Sequence, residues 1–113
     1  MAVELDSALV QLRKGVLEYC VLAQLRESAS YGLKLASDLA RYKTLFASEG
    51  TIYPLLARLR KKGLVETYWE ESTSGPPRRY YSISQSGDLA LTTFAAAWRP
   101  FIEEATRVLE TKN

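Results

Sequence analysis

Apolar residues in the first quarter of the chain recur at steps of three and four. From about Ser7 to Arg26, Leu9, Leu12, Val16, Tyr19 and Ala23 make one row, and Leu17, Val21 and Leu25 make a second. Two rows predict one helix that is covered on most sides and central to the core. Ser28-Ala29-Ser30 then offers a break and an N-cap, and Tyr31, Leu35 and Leu39 mark one face of a second, shorter helix. Gly32 within it disfavours helix by about 1 kcal/mol relative to Ala, so either the helix begins after it or another group approaches its backbone closely. A polar, basic connection through Arg41 and Lys43 leads to Ser48, the next cap candidate. Glu49 follows, where a negative side chain favours a helix N-terminus.

The third helix carries Ile52, Leu55, Leu56 and Leu59 on one side and Arg58, Arg60, Lys61 and Lys62 towards its end, and Gly63 stops it. Pro54 conflicts with the carbonyl of residue 50. Either the helix starts near Thr51 with Pro54 in its first turn or just past it, or it runs from Glu49 with a slight bend that Gly50 tolerates. Leu64 to Glu70 and Arg79 to Ile83 change to an alternating, aromatic texture. With Glu71-Ser72-Thr73-Ser74-Gly75-Pro76-Pro77-Arg78 between them, they predict a β-hairpin with a long, exposed tip.

Ser84 begins a last helix, along which Leu91, Phe94, Trp98, Phe101 or Ile102, Ala105 and Val108 or Leu109 form a coiled-coil-like seam. The preceding elements already make a complete small unit. The seam therefore predicts pairing with a second copy of the chain, with Leu91, Phe94, Trp98, Ile102, Ala105 and Leu109 as the contacts.

Composition narrows the chemistry. The 113 residues include no histidine and a single cysteine, Cys20. This excludes Ser-His-Asp and Cys-His triads, His-containing metal sites and an intramolecular disulfide, so no enzyme and no cofactor are expected. With 47% hydrophobic and 25% charged residues the chain reads as one ordinary globular domain. Met1 to Ala8 lack the order of a signal peptide, and nowhere do eighteen uncharged apolar residues run together; the expected address is a reducing cytoplasm, without membrane contact. Fifteen basic and thirteen acidic residues leave only +2. Residues 30 to 62, however, hold seven basic residues, Lys34, Lys43 and Arg58 among them, against Asp38 and Glu49, a net +5, whereas residues 84 to 113 net −1. An anionic partner would bind the middle third.

Helix, helix, basic-ended helix, hairpin and dimerising helix is the winged helix-turn-helix plan, mainly α with a small β-hairpin. It divides the chain into a DNA-binding unit, residues 1–84, and a C-terminal dimerisation helix, residues 85–113. In such a plan the third helix enters the major groove of double-stranded DNA and the wing lies over the adjacent backbone or minor groove. Thr51 and Tyr53 can reach base edges or a thymine methyl, and Arg78 and Arg79 suit phosphate or a narrow minor groove. Lys34, Lys43 and Arg58 add to the positive field, while Lys61 and Lys62 would touch backbone at most. Trp69, Tyr80 and Tyr81 read as hairpin packing, and Glu103-Glu104 as a solvated face.

The stretch Ser48-Glu49-Gly50-Thr51-Ile52-Tyr53-Pro54-Leu55-Leu56-Ala57-Arg58-Leu59 closely resembles the PadR-like family of bacterial transcriptional regulators. So do Lys62-Gly63-Leu64-Val65, Tyr68-Trp69-Glu70-Glu71-Ser72, Gly75-Pro76-Pro77-Arg78-Arg79-Tyr80-Tyr81, Arg13-Lys14-Gly15-Val16-Leu17-Glu18-Tyr19 and Ser30-Tyr31-Gly32. The resemblance covers roughly residues 10 to 90. It implies a homodimeric repressor that binds an inverted-repeat operator and releases it when a small molecule binds. The short length resembles a subfamily with a single helix beyond the wing, which includes multidrug-responsive members. In those, a tryptophan eleven residues after a glycine lines a pore at the dimer centre; Gly87 and Trp98 have that spacing here. By resemblance Trp98, with Phe94 and Phe101, would take a planar hydrophobic ligand; the plain alternative for Trp98 is a dimer-core residue. Pro100 should bend or interrupt the helix directly after it. Cys20 reads as a buried small hydrophobe or a thiol sensor. The alternative for the whole chain is a small-molecule-binding or protein-interaction module that no longer engages DNA.

Overall fold

The computed structural model describes residues 2–46 and 48–111, with side chains from Ser7 onward. Lys112, counted above with the acidic last third, lies outside them. The described residues form five α-helices and a three-stranded sheet: α1 Ala2–Lys14, α2 Leu17–Glu27, β1 Ser30–Tyr31, α3 Gly32–Leu39, α4 Ile52–Lys61, β2 Val65–Ser72, β3 Gly75–Ile83 and α5 Gln85–Leu109. The core is the packing of α2, α3 and α4 under the base of the sheet. Val21, Leu22, Leu35, Ile52, Leu55, Leu56 and Leu59 are its fully enclosed side chains.

The expected single first helix is two. The break lies at Gly15-Val16, where the Val16 N–H turns back to the Arg13 carbonyl at 3.0 Å and Val16 leaves helical geometry. No atom beyond the chain neighbours of Gly15 lies near the position of an added Cβ. A glycine costs helix stability, and no packing there repays a continuous rod. The first apolar row is consequently divided between two helices: α2 buries Leu17, Val21, Leu22 and Leu25, while Val10 and Leu12 on α1 stay exposed.

Ser30 is not a helix cap. It lies in β1, buried opposite Tyr81, and its Oγ has no hydrogen-bond partner. α3 starts at Gly32, and α4 at Ile52 after a single 3-10 turn, Glu49–Thr51. Pro54 thus occupies the first turn of α4, where its missing N–H costs nothing. Ser48 flanks that turn through its carbonyl, which accepts from Thr51 N at 3.2 Å, and its side chain makes no cap. At the other end Gly63, at φ 75°, donates to the Arg60 carbonyl, and Leu64 donates to that of Leu59. This is a Schellman closure, which needs the left-handed conformation that glycine adopts without strain.

The sheet is antiparallel with order β1-β3-β2, so the hairpin gains a short third strand. β2 and β3 pair from Val65↔Ile83 out to Glu70↔Arg78 and, past a bulge, Ser72↔Gly75. The expected long tip is corrected to a tight turn at Thr73-Ser74. Gly75-Pro76-Pro77 belongs to β3, beyond the reach of β1, and Pro76-Pro77 form the bulge opposite Glu71, where a strand tolerates proline's missing donors. Arg78 and Arg79 therefore sit within the wing rather than at its base.

Ser84 caps α5: its Oγ accepts from Gly87 N at 3.0 Å and donates to the Gly63 carbonyl at 2.7 Å, joining the start of α5 to the end of α4. α5 then runs for 25 residues without a break, with Pro100 inside it. The expected interruption does not occur, because Ala96 and Pro100 are exposed and water can satisfy the carbonyl that proline leaves unpaired.

Candidate nucleic-acid interface

Tyr53 is the second residue of α4 and projects outward, 51% exposed. Its ring lies across the backbone of Gly32: a Cβ there would fall 2.6 Å from Tyr53 Cε1. Beside it, between the start of α4 and the wing, is a groove of about 310 Å³ that also takes in Tyr31, Leu33, Trp69, Arg78, Arg79 and Tyr81. Register explains the gathering. Trp69 stands opposite Arg79, on the same face as buried Val65 and partly buried Ile83 but farther out, so the two overhang the helices instead of entering the core. The Arg79 guanidinium is 5.2 Å from the Trp69 ring centroid, and that of Arg78 is 4.4 Å from the ring of Tyr31. Arg79 Nε is buried with no partner, a donor held by a stacked plane and unused within the protein. The groove offers cations at fixed positions beside an exposed phenol and apolar surface, a surface suited to a phosphate backbone with base edges next to it.

The structure brings together three of the seven DNA-contact candidates, Tyr53, Arg78 and Arg79. Thr51 lies on the other side of the α4 start, in a hollow with Arg13, Glu18 and Arg58. Arg58 donates to Glu18 at 3.1 Å, and Lys62 donates to the same carboxylate at 2.8 Å. Burial raises the Glu18 pKa, but the hydrogen bonds from Lys62 and Arg58 lower it more, and the carboxyl ends below its ordinary value. Lys34 is paired with Asp38 at 2.8 Å, which raises its own pKa, and Lys43 borders a hollow beside Ser48 and Glu49. The segment count of +5 thus overstates the free charge, since Glu18, which neutralises two of its cations, lies outside the segment. Sequence reasoning missed Tyr31 and Leu33, and it assigned Trp69 to packing although that ring is 65% exposed. The strand alternation that pairs Trp69 with Arg79 is the signal that could have found it.

A second, apolar groove of about 360 Å³ runs between α2 and α5, with Tyr19, Cys20, Phe94 and Trp98 among its lining. Tyr19 and Phe94 stack with centroids 4.0 Å apart, and Phe94 and Trp98 stand at 5.5 Å. Phe101 does not line it and is 67% exposed. Leu91, expected in the dimer seam, is 6% exposed in the core of its own chain, so the unpartnered seam starts beyond it. Ile102, Val108 and Leu109 are exposed and Ala105 half-buried. Burial pushes the Cys20 thiol up, away from the thiolate that a sensor uses. Among the described residues no cluster of His, Cys, Asp or Glu could hold a metal, and no helix is long and apolar enough to cross a membrane.

Comparison with known proteins agrees with the fold. The family model described as the transcriptional regulator PadR-like family matches residues 21–93, which run from within α2 through the winged core to the first turns of α5. The crystal structure of a PadR family transcriptional regulator from Eggerthella lenta is 34% identical and superposes with a TM-score of 0.79, covering 95% of this chain and 93% of that one. A PadR-like regulator from Bacillus cereus is 36% identical with a TM-score of 0.78, over 90% of this chain and 99% of its own. A PadR-like transcription factor from Bacteroides fragilis is 37% identical with a TM-score of 0.73, over 91% and 99%. With a winged helix-turn-helix whose exposed groove joins helix start to wing, and with no catalytic constellation expected from its residues, the chain belongs to the PadR-like family of transcriptional regulators, which bind DNA and are not enzymes.

Proposed function

We propose that this chain is a cytoplasmic, homodimeric, ligand-responsive repressor of an inverted-repeat operator. The observation that carries the reading is the convergence of Tyr53, Arg78 and Arg79 on one exposed groove. Two copies of α4 enter successive major grooves, about 34 Å apart along the duplex, and each wing sets its arginines against the flanking backbone. Residues 1–84 serve DNA binding. Residues 85–113 set the spacing between copies, their first turns anchored on α2 where Arg26 grips Asp88 and Thr92. The exposed apolar side chains of the outer turns of α5, which have no partner within the described chain, support pairing with a second copy. A planar hydrophobic molecule seated against Phe94 and Trp98 would displace α5 relative to α2, and a small change in the separation of the two α4 helices prevents simultaneous docking. The test is an electrophoretic shift with the duplex upstream of the chain's own gene, over a salt series and with planar aromatic compounds added. A salt-sensitive shift of a dimer, reversed by a compound that quenches Trp98, is expected; absence of any shift contradicts the reading.

A further inference from the structure

Gly32 opens α3 with no local reason to be glycine. Among the described residues the glycine with positive φ is Gly63, so the backbone at position 32 is one that alanine adopts freely, and alanine is the better helix former. Its missing side chain is explained by Tyr53 alone. An added Cβ would lie 2.6 Å from Tyr53 Cε1, 3.2 Å from Cδ1 and 3.5 Å from Cζ. These are all atoms of a half-exposed ring on another helix.

We propose that Gly32 is the positioning residue for Tyr53: its bare backbone is the seat that fixes the phenol ring at the floor of the groove beside Tyr31 and Arg78. An exposed tyrosine on a helix start samples several rotamers, and binding must then pay the entropy of fixing one. Seated on Gly32 the ring is already placed, its Cε1 edge against the bare backbone. A methyl group at position 32 evicts the ring. The ring can swing into solvent without emptying the core, because Tyr53 is 51% exposed and stands outside the cluster of buried residues that includes Leu35 and Ile52.

The inference rests on the reading of Tyr53 as a DNA contact, and a double-mutant cycle separates the two. The probe is a duplex enriched by the native protein from a random-sequence pool. Gly32→Ala, Tyr53→Ala and the double variant are titrated with it, and their melting temperatures and elution volumes are compared. Gly32→Ala should keep the native melting temperature and elution volume and lose about tenfold in affinity, while in the Tyr53→Ala background the same change costs less than about twofold. An equal loss in both backgrounds, a lowered melting temperature, or undiminished binding by Gly32→Ala beside a weakened Tyr53→Ala overturns the seat. Undiminished binding by Tyr53→Ala overturns the underlying reading of Tyr53 and the seat with it.

Discussion

The Glu18 carboxylate of α2 accepts a 3.1 Å hydrogen bond from Arg58 Nε of α4, and Lys62 Nζ donates to its other oxygen at 2.8 Å. One partly buried anion thus holds two cations of the helix expected to meet DNA. Glu18→Gln should release both. The expected result is a steeper fall of affinity with salt and tighter binding at low salt, each newly engaged phosphate adding about 0.9 to the log–log slope. An unchanged slope means that Arg58 and Lys62 face away from DNA.

The same pair predicts a pH dependence. Because Lys62 and Arg58 lower the Glu18 pKa in the native state despite its burial, the folded-state value is the depressed one. The pair therefore stabilises the fold above the ordinary glutamate pKa of about 4.3 and loses that contribution as pH falls through the lower folded value. In urea unfolding, the native chain should exceed Glu18→Gln by up to about 1 kcal/mol near neutrality, since the cations are largely exposed. The gap should close in acid; a constant gap contradicts the assignment.

A third prediction concerns the joint of wing and α5. A Cβ on Gly87 would overlap the Leu64 carbonyl oxygen and press on Ile83 Cγ1 at 2.9 Å. A backbone oxygen cannot swing aside, so α5 must shift. Gly87→Ala should destabilise by about 1–3 kcal/mol. Gly15→Ala, where nothing lies within 4 Å, should stay within about 0.5 kcal/mol of native. Chemical denaturation of both variants checks this, and equal effects would contradict it.

These joints show what the sequence could and could not disclose. The helical faces of Leu35 and Leu39, and of Ile52, Leu55 and Leu59, were legible because burial imposes a period. So was the α4 stop at Gly63. The break at Gly15-Val16 was hidden because the row Leu9, Leu12, Val16, Tyr19 and Ala23 keeps its steps of three and four across it, although α1 carries its first two members and α2 its last two. The wing was misjudged at Gly75-Pro76-Pro77, since proline reads as loop unless its place in a bulge on an edge stretch of strand is known. With the tip drawn too long, the register that sets Trp69 over Arg79 could not be seen. Charge counting along the chain failed for a related reason: Glu18 and Arg58 are 40 residues apart and adjacent in space.

Ligand recognition supplies a fourth prediction. The chain has two tryptophans, and Trp98 lies in the apolar groove while Trp69 lies on the wing. Planar hydrophobic compounds should quench the fluorescence that Trp98→Phe removes and leave the remainder unaffected. Quenching that persists in Trp98→Phe would move the ligand to the wing; none at all would leave Trp98 as a packing residue between copies.

The central claim, that the groove between α4 and the wing meets the phosphate backbone, is tested most directly by the salt dependence of DNA affinity in the Arg78→Ala, Arg79→Ala double variant. Both guanidiniums are stacked on aromatic rings instead of being paired with carboxylates, so their removal should leave folding intact. The slope of log K against log salt should flatten by about 0.9 for each phosphate no longer neutralised, roughly 2 to 4 units in a dimer. A native slope in that variant, at unchanged melting temperature, would contradict the account.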